Sequence, residues 1–179
     1  MFRHYSFCPR CRTELQTRRF PTPEDAERRV CPACGFLYWN NSRPTAGAVV
    51  EDTQGRVLLG RRGIEPSKGL WDLPGGFLEP GEHPEAGMKR ELLEETGLLV
   101  DPVQLLGFYM DQYGDDPHEH TLNIFYWCRV LAASPEAQAS DDMAELGWFP
   151  PDAFPESREL AFQNVRDALA DWKARRNGN

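Results

Sequence analysis

Three glutamates within five residues carry the densest potential chemistry of this chain. On a helix, Glu91, Glu94 and Glu95 occupy positions i, i+3 and i+4 and project from one face. Like charges at this spacing repel one another, and a hard divalent cation relieves that repulsion because carboxylate oxygens suit Mg²⁺ and Mn²⁺. The spacing therefore favours a metal site, while a solvated patch of surface glutamates is the alternative interpretation.

The residues around this helix face favour the metal site. Arg90 can reach Glu94 one helical turn on, and Glu82, just before the helix, can supply a fourth carboxylate. Gly75 and Gly76 let the backbone approach a ligand closely, so that a free carbonyl there can complete a metal shell. The helix itself is predicted from His83 to Thr96, with Pro84 suited to its first position and Gly97 suited to its end.

The pattern Gly76-x5-Glu82-x7-Arg90-Glu91-Leu92-x-Glu94-Glu95-x-Gly97-Leu98 resembles the Nudix box. The resemblance implies hydrolysis of a nucleoside diphosphate linked to another group, and a Nudix α/β/α sandwich of the α+β class with a mixed sheet. It also implies roles for the residues of the box. Glu91, Glu94 and Glu95 would be Mg²⁺ or Mn²⁺ ligands, Gly76 would offer its carbonyl, Arg90 would orient the glutamates, and Glu82 would lie in the inner or outer metal shell.

Residues outside the box are candidates for the general base and for substrate contacts. Asp142 and Glu145 precede a short predicted strand and are candidates for the base, with an acidic surface turn as the alternative. The candidates for substrate binding are two arginines that can meet phosphate or cap a strand end, and two aromatic residues that can stack on a base or belong to the core: Arg61, Arg62, Trp71 and Phe77. Tyr109 and Tyr113 are further aromatic residues that can stack on a base or belong to the core. A further polar loop contains Asp115, Asp116, His118, Glu119 and His120, and we expect it to be solvated.

Four of the five cysteines form two C-x-x-C pairs near the N-terminus, at Cys8, Cys11, Cys31 and Cys34. Paired knuckles at this spacing indicate a four-thiolate Zn²⁺ site, and disulfides are the alternative. Because all four ligands come from the protein, the predicted zinc is structural. Gly35 follows the second pair, where a knuckle often needs positive φ. Residues 12–30 are predicted to be an exposed loop, and Cys128 a packed core thiol.

The order of a zinc ribbon and a Nudix module resembles the NADH, FAD and ADP-ribose pyrophosphatases. The Ser-Gln-Pro-Trp-Pro-Phe-Pro-like stretch of the NADH enzymes has no counterpart in Val100–Tyr113, whereas Gly63–Trp71 is similar to members that act on FAD or ADP-ribose. The resemblance therefore favours ADP-ribose, FAD or a similar dinucleotide. Two alternatives remain open: a house-cleaning hydrolase of modified nucleoside triphosphates, and a zinc-ribbon RNA-binding or regulatory protein with a nucleotide-sensing Nudix domain.

The composition limits partners and location. The formal charge is −8, and residues 1–46 hold eight arginines against four acidic residues, so the remainder carries −12. This balance makes general nucleic-acid binding unlikely and suits a metal-bound small nucleotide. No apolar run is long enough for a transmembrane helix, so the expected location is cytoplasmic, and a homodimer stays open.

Elements that would position these residues follow from the hydrophobic pattern. Strands are predicted at 46–51, 57–60, 103–109, 121–130 and 146–149, and a last amphipathic helix from Leu160 to about Arg175. The predicted organisation is a zinc ribbon over residues 1–43 followed by a Nudix domain over residues 44–179.

Overall fold

The computed structural model describes residues 6–21, 27–114 and 119–178. The predicted loop residues Asp115, Asp116 and His118 lie outside these ranges. The chain forms two compact units, residues 1–41 and residues 42–179. Among the described residues, no helix is long and apolar enough to cross a membrane.

The first unit is a three-stranded antiparallel sheet in the order β1-β2-β3, formed by Gln16–Arg19, Glu27–Val30 and Leu37–Tyr38. The prediction of a loop over residues 12–30 is therefore wrong, because Gln16–Arg19 pairs with Glu27–Val30. Among the described residues of this unit, the buried apolar ones are Cys8, Leu15 and Cys31, with Phe36 packed against them. A core this small needs a cross-link or a metal for independent stability.

The second unit is built on a seven-stranded mixed sheet. Its main path is β10-β5-β4-β9-β8, with β6 paired to β5 and β7 paired to β4; β4 and β9 are parallel, and the other pairs are antiparallel. The strands are β4 Arg43–Glu51, β5 Val57–Arg62, β6 Trp71–Asp72, β7 Gly75–Phe77, β8 Val100–Gln112, β9 His120–Val130 and β10 Met143–Phe149.

Both faces of this sheet are covered, one by helix α1 (Pro84–Thr96) and the other by helix α2 (Gln163–Asn177). Consecutive side chains of β4 alternate between the two faces, so that Val49 packs with the α2 side and Val50 with the α1 side. Burial on both faces explains why the central strands are continuous apolar runs. The predicted α+β sandwich with a mixed sheet is confirmed.

Helix α1 has the ends that the sequence predicted. The Nδ1 atom of His83 accepts a hydrogen bond from the Glu85 N–H at 3.3 Å, Pro84 is the first helical residue, and Gly97 ends the helix with φ 70°. Glycine adopts this left-handed conformation without the steric cost of a side chain. Both helix boundaries are thus set by local chemistry, and they fix which turn carries the three glutamates.

Several element boundaries differ from the prediction by a few residues, and two of these differences concern predicted helix or site residues. Helix α2 begins at Gln163 rather than Leu160, because Leu160 forms a bridge with Trp71 and the Ala161 N–H donates to the Trp71 carbonyl at 2.8 Å. Strand β10 begins at Met143 rather than Leu146, so Glu145 lies within the strand.

Candidate active site

Two glycines allow strand β7 to pack closely against β4, in the segment that leads into helix α1. A Cβ atom on Gly75, whose φ is 148°, would lie 2.4 Å from the Gly47 Cα atom. A Cβ atom on Gly47 would lie 2.7 Å from the Pro74 carbonyl oxygen. The backbones approach so closely here that neither position accommodates a side chain.

The three glutamates of α1 line one cavity of about 320 Å³. Gly76 lines the same cavity, and a Cβ atom there would lie only 2.5 Å from the Glu91 carboxylate. The missing side chain of Gly76 is therefore what leaves room for that carboxylate. The structure brings Gly76, Glu91, Glu94 and Glu95 together at one site.

Arg90 connects the acidic residues at the edge of this cavity. Its Nε and Nη2 atoms donate to the two Glu82 carboxylate oxygens at 2.9 Å, and its Nη1 atom donates to Glu91 at 2.7 Å and to Glu94 at 3.1 Å. Its Nη2 atom also donates to the Phe77 carbonyl at 3.2 Å. These bonds lower the pKa of Glu82 to about 2. One guanidinium thus fixes the positions of three carboxylates.

Glu95 is the most enclosed carboxyl group of the three. Its side chain is 5% exposed, and its Oε2 atom accepts a hydrogen bond from the Gly75 N–H at 2.8 Å. Burial raises the pKa of Glu95 to about 8, and the nearby charge of Asp72 adds to the effect. Burial likewise raises the pKa of Glu91 against the opposing effect of Arg90. Both groups therefore sit where a negative charge is unfavourable unless a cation accompanies it.

This donor set fits Mg²⁺ or Mn²⁺, because its side-chain atoms are hard oxygens and a backbone carbonyl is close by. Mg²⁺ usually keeps several waters and contacts only one or two carboxylates directly. The remaining carboxylates can therefore contact such an ion through its waters.

The two candidates for the general base lie in different places in the structure. Asp142 lines the cavity, and its carbonyl oxygen accepts a hydrogen bond from the Gly63 N–H at 2.7 Å. Glu145 lies on strand β10 in an exposed ion pair with Arg61, at 3.1 Å. Only Asp142 is placed to meet a molecule in the cavity.

The four candidates for substrate binding also separate. Arg62 and Phe77 line the cavity. The guanidinium of Arg62 bonds to Asp72 at 2.8 Å and to the Pro66 carbonyl at 2.7 Å, so it is already well fixed. Trp71 is 8% exposed and packs edge-on against Phe149 in the core, with Arg61 over its ring.

Sequence reasoning did not single out several residues of the cavity wall. These are polar or aromatic side chains from β4, β8, β9 and the start of α2, namely Thr45, Asp111, Asn123, Phe162 and Asn164. Isolated asparagines and phenylalanines carry no motif. Only their convergence in three dimensions distinguishes them from ordinary core and capping residues.

The first unit carries the predicted cysteine cluster. The Sγ–Sγ distances are 3.6 Å for Cys8–Cys34, 3.3 Å for Cys11–Cys31 and 3.6 Å for Cys11–Cys34. Tetrahedral Zn²⁺ with Zn–S bonds of about 2.3 Å separates its sulfurs by roughly 3.8 Å. The cysteine cluster therefore fits zinc.

The two knuckles share one backbone geometry. The Arg12 N–H donates to the Cys8 carbonyl at 2.8 Å, and the Gly35 N–H donates to the Cys31 carbonyl at 3.0 Å. Both residues that follow the pairs are left-handed, Arg12 with φ 62° and Gly35 with φ 72°. The positive φ predicted for Gly35 is confirmed.

Comparison with known proteins agrees with the fold. The NUDIX domain matches residues 41–172. An ADP-ribose pyrophosphatase of Methanocaldococcus jannaschii is 34% identical over 142 residues, which are 79% of this chain and 79% of that protein. The NAD-capped RNA hydrolase NudC of Chromobacterium violaceum is 30% identical over 154 residues, or 86% of this chain, which spans 53% of that longer protein. A crystal structure of a Nudix hydrolase from Nitrosomonas europaea superposes with a TM-score of 0.80 and 27% identity, covering 97% of this chain and 93% of that one.

The chain belongs to the NUDIX domain family. It is a Nudix pyrophosphohydrolase, an enzyme of the class that acts on small nucleotide substrates.

Proposed function

We propose that this enzyme hydrolyses the diphosphate of ADP-ribose or a closely similar dinucleotide, in a reaction that depends on Mg²⁺ or Mn²⁺. The observation that carries the proposal is the cavity in which Glu91, Glu94 and Glu95 meet Gly76. ADP-ribose comes first because the relative named an ADP-ribose pyrophosphatase matches over 79% of both chains. The reaction adds water to one phosphorus atom, breaks the P–O–P anhydride and yields AMP and ribose 5-phosphate.

The divalent ions, when bound, would neutralise the diphosphate oxygens and lower the pKa of an attacking water. Glu91, Glu94 and Glu95 would hold them with the Gly76 carbonyl. Arg90 keeps the carboxylates oriented through its bonds to Glu82, Glu91 and Glu94. A diphosphate would otherwise be repelled by the acidic cavity wall, so the same carboxylates that hold the cations make anion binding dependent on them.

Asp142 would accept the proton from the attacking water. It lines the same cavity as Glu91, Glu94 and Glu95. Asp142→Asn should lower kcat by two orders of magnitude or more with little change in KM, since general-base catalysis contributes roughly 10²–10⁴-fold. Glu145→Gln is the matched control because its carboxylate faces Arg61 on the surface, and it should keep kcat.

A substrate panel tests the proposal directly. ADP-ribose, FAD, NADH and 8-oxo-dGTP are incubated with the full chain and Mg²⁺, and the products are separated by chromatography. We expect AMP from ADP-ribose, at a higher kcat/KM than for the triphosphate, and no turnover in excess EDTA. Release of product from 8-oxo-dGTP alone would support the house-cleaning alternative and overturn the proposal.

A further inference from the structure

One side chain of the cavity has a polar atom that the fold leaves without a partner. Asn164 is 5% exposed, and within the described part of the chain its Oδ1 atom is buried without a hydrogen-bond partner. The cavity's other buried asparagine differs: the Nδ2 atom of Asn123 donates to the Tyr109 carbonyl at 3.1 Å and to Thr121 at 3.0 Å, and its Oδ1 atom accepts from Thr45 at 2.7 Å. Buried carbonyl oxygens without partners are rare because burial without a bond destabilises the fold.

The position of Asn164 is fixed from its backbone. It is the second residue of α2, and its N–H donates to the Asp111 Oδ2 atom of β8 at 2.9 Å. The Oδ1 atom of Asp111 accepts from the Gln112 N–H at 2.8 Å, so the carboxylate that holds Asn164 is itself held. Asn164 lines the cavity, so its backbone is held at a fixed place on the wall and its side chain carries the acceptor there.

Aromatic rings line the cavity beside this acceptor. The rings of Tyr113 and Phe162 are nearly parallel, with an interplanar angle of 23° and centroids 6.2 Å apart. Phe77 meets Tyr113 edge-on at 5.5 Å. The guanidinium of Arg62 lies 5.1 Å from the Phe162 centroid, and that of Arg43 lies 5.4 Å from the Tyr113 centroid. Such rings suit a flat heteroaromatic base, which every aromatic face accepts by stacking.

The charges near Asn164 disfavour phosphate at this end of the cavity. Asp111 and Asp72 both line it, and Arg62 is already engaged by Asp72. The neutral part of a nucleotide therefore fits here, while the diphosphate fits beside the glutamates, where divalent cations would accompany it. The two ends of the cavity therefore suit different parts of a nucleotide: the Asn164 end suits the base, and the glutamate end suits the diphosphate.

We propose that the Asn164 end of the cavity is the nucleobase subsite, in which the base stacks on Tyr113 and Phe162 and its exocyclic amine donates to the Asn164 Oδ1 atom. The subsite selects adenine over a purine that lacks the amine. This inference rests on the proposed function, because it assigns the base of the same substrate.

Calorimetric titration with AMP and with purine riboside 5′-monophosphate tests the subsite without turnover. The second ligand has the same ring system without the exocyclic amine. In Mg²⁺ buffer, we expect wild type to bind AMP about tenfold more tightly, as one hydrogen bond predicts. Equal affinities in wild type, or no binding of AMP at millimolar concentration, overturn the proposal, and neither result depends on a variant.

Asn164→Leu then removes the acceptor at nearly the same size. AMP affinity should fall about tenfold and become equal to that of the analogue. The melting temperature should stay the same or rise, because a buried group without a partner is lost. A drop of several degrees would reveal a structural role for the carboxamide and overturn the assignment. Gln163→Leu, the exposed neighbour whose amide bonds to Asp167, is the control and should leave AMP affinity unchanged.

Hydrolysis separates this inference from the function on which it rests. If wild type shows the predicted binding pattern but releases no AMP from ADP-ribose, the base subsite stands and the proposed function fails. If wild type hydrolyses ADP-ribose and Asn164→Leu keeps its KM, the function stands and the subsite fails.

Discussion

The substitution Gly76→Ala tests the geometry of the glutamate site more directly than removal of a glutamate does. A Cβ atom at this position would lie 2.5 Å from the Glu91 carboxylate, whereas ordinary contacts begin at 3.4 Å. The carboxylate must therefore retreat by the difference, about 0.9 Å. A misplacement of about 1 Å costs roughly 100-fold in rate, which corresponds to about 2.7 kcal/mol of barrier.

The fold should tolerate this change, because the group that moves is the end of a flexible side chain. Loss of a glycine also restricts the unfolded chain, so the free energy of unfolding should stay within about 1 kcal/mol of wild type. Steady-state kinetics at saturating Mg²⁺ measure kcat/KM, and urea denaturation measures stability. A kcat/KM within about threefold of wild type would refute the argument that Gly76 makes room for Glu91.

Gly75→Ala is the contrasting control. A Cβ atom there meets the Gly47 Cα atom at 2.4 Å and the Ala46 carbonyl oxygen at 2.5 Å. These are backbone atoms, which cannot swing aside, and the φ of 148° also disfavours a side chain. This variant should lose stability and activity together, whereas Gly76→Ala loses activity alone.

Three further substitutions have expected outcomes. Arg90→Met removes the counter-charge of three carboxylates, so in EDTA the free energy of unfolding should fall by roughly 2 kcal/mol. Mg²⁺ should then stabilise the variant more than it stabilises wild type. Equal gains in stability, measured by urea titration, would contradict this. Glu95 has a folded pKa of about 8 against an ordinary value of 4.5, so the folded state holds its proton more tightly and stability declines as the pH rises between these values. Glu95→Gln should remove that decline, so that in EDTA its melting temperature exceeds that of wild type by more at pH 8.5 than at pH 5. Its turnover should fall by orders of magnitude. A difference in melting temperature that does not change with pH would contradict the raised pKa of Glu95. Cys31→Ser should abolish zinc binding and destabilise residues 1–41, with a much smaller effect on kcat. Cys128→Ala is the control and should keep its zinc. Atomic absorption measures the zinc content, and an unchanged content in Cys31→Ser would disprove the four-sulfur site.

Local chemistry explains which elements the sequence could predict. Helix α1 is bounded by Pro84 and Gly97, whose backbone preferences act within one turn, so its ends and the glutamate face followed from spacing alone. The hairpin of Gln16–Arg19 and Glu27–Val30 could not be predicted in this way. Its strands are short, charged and mostly exposed, so they lack the alternation of apolar residues that marks a strand.

Tertiary contacts decided the rest of the site. The predicted last helix began at Leu160, but the bridge of Leu160 to Trp71 excludes this residue from α2. Asp142 and Glu145 are close neighbours in sequence, and only the turn before β10 decides which of them meets the cavity. Only the three-dimensional surroundings of the Asn164 Oδ1 atom show that it lacks a hydrogen-bond partner.

Gly47 belongs to no motif of this chain, yet the position of the segment that leads into helix α1 depends on it. Because Gly47 has no side chain, the backbone before β7 can lie against it; a single added methyl group would meet the Pro74 carbonyl oxygen at 2.7 Å and the Phe125 ring at 2.9 Å and would displace them. In a saturation screen for hydrolase activity, substitutions at Gly47 should therefore score as severely as substitutions of the glutamates, although this residue would touch neither ion nor nucleotide. The part of the chain that activity constrains is therefore larger than the part that performs chemistry.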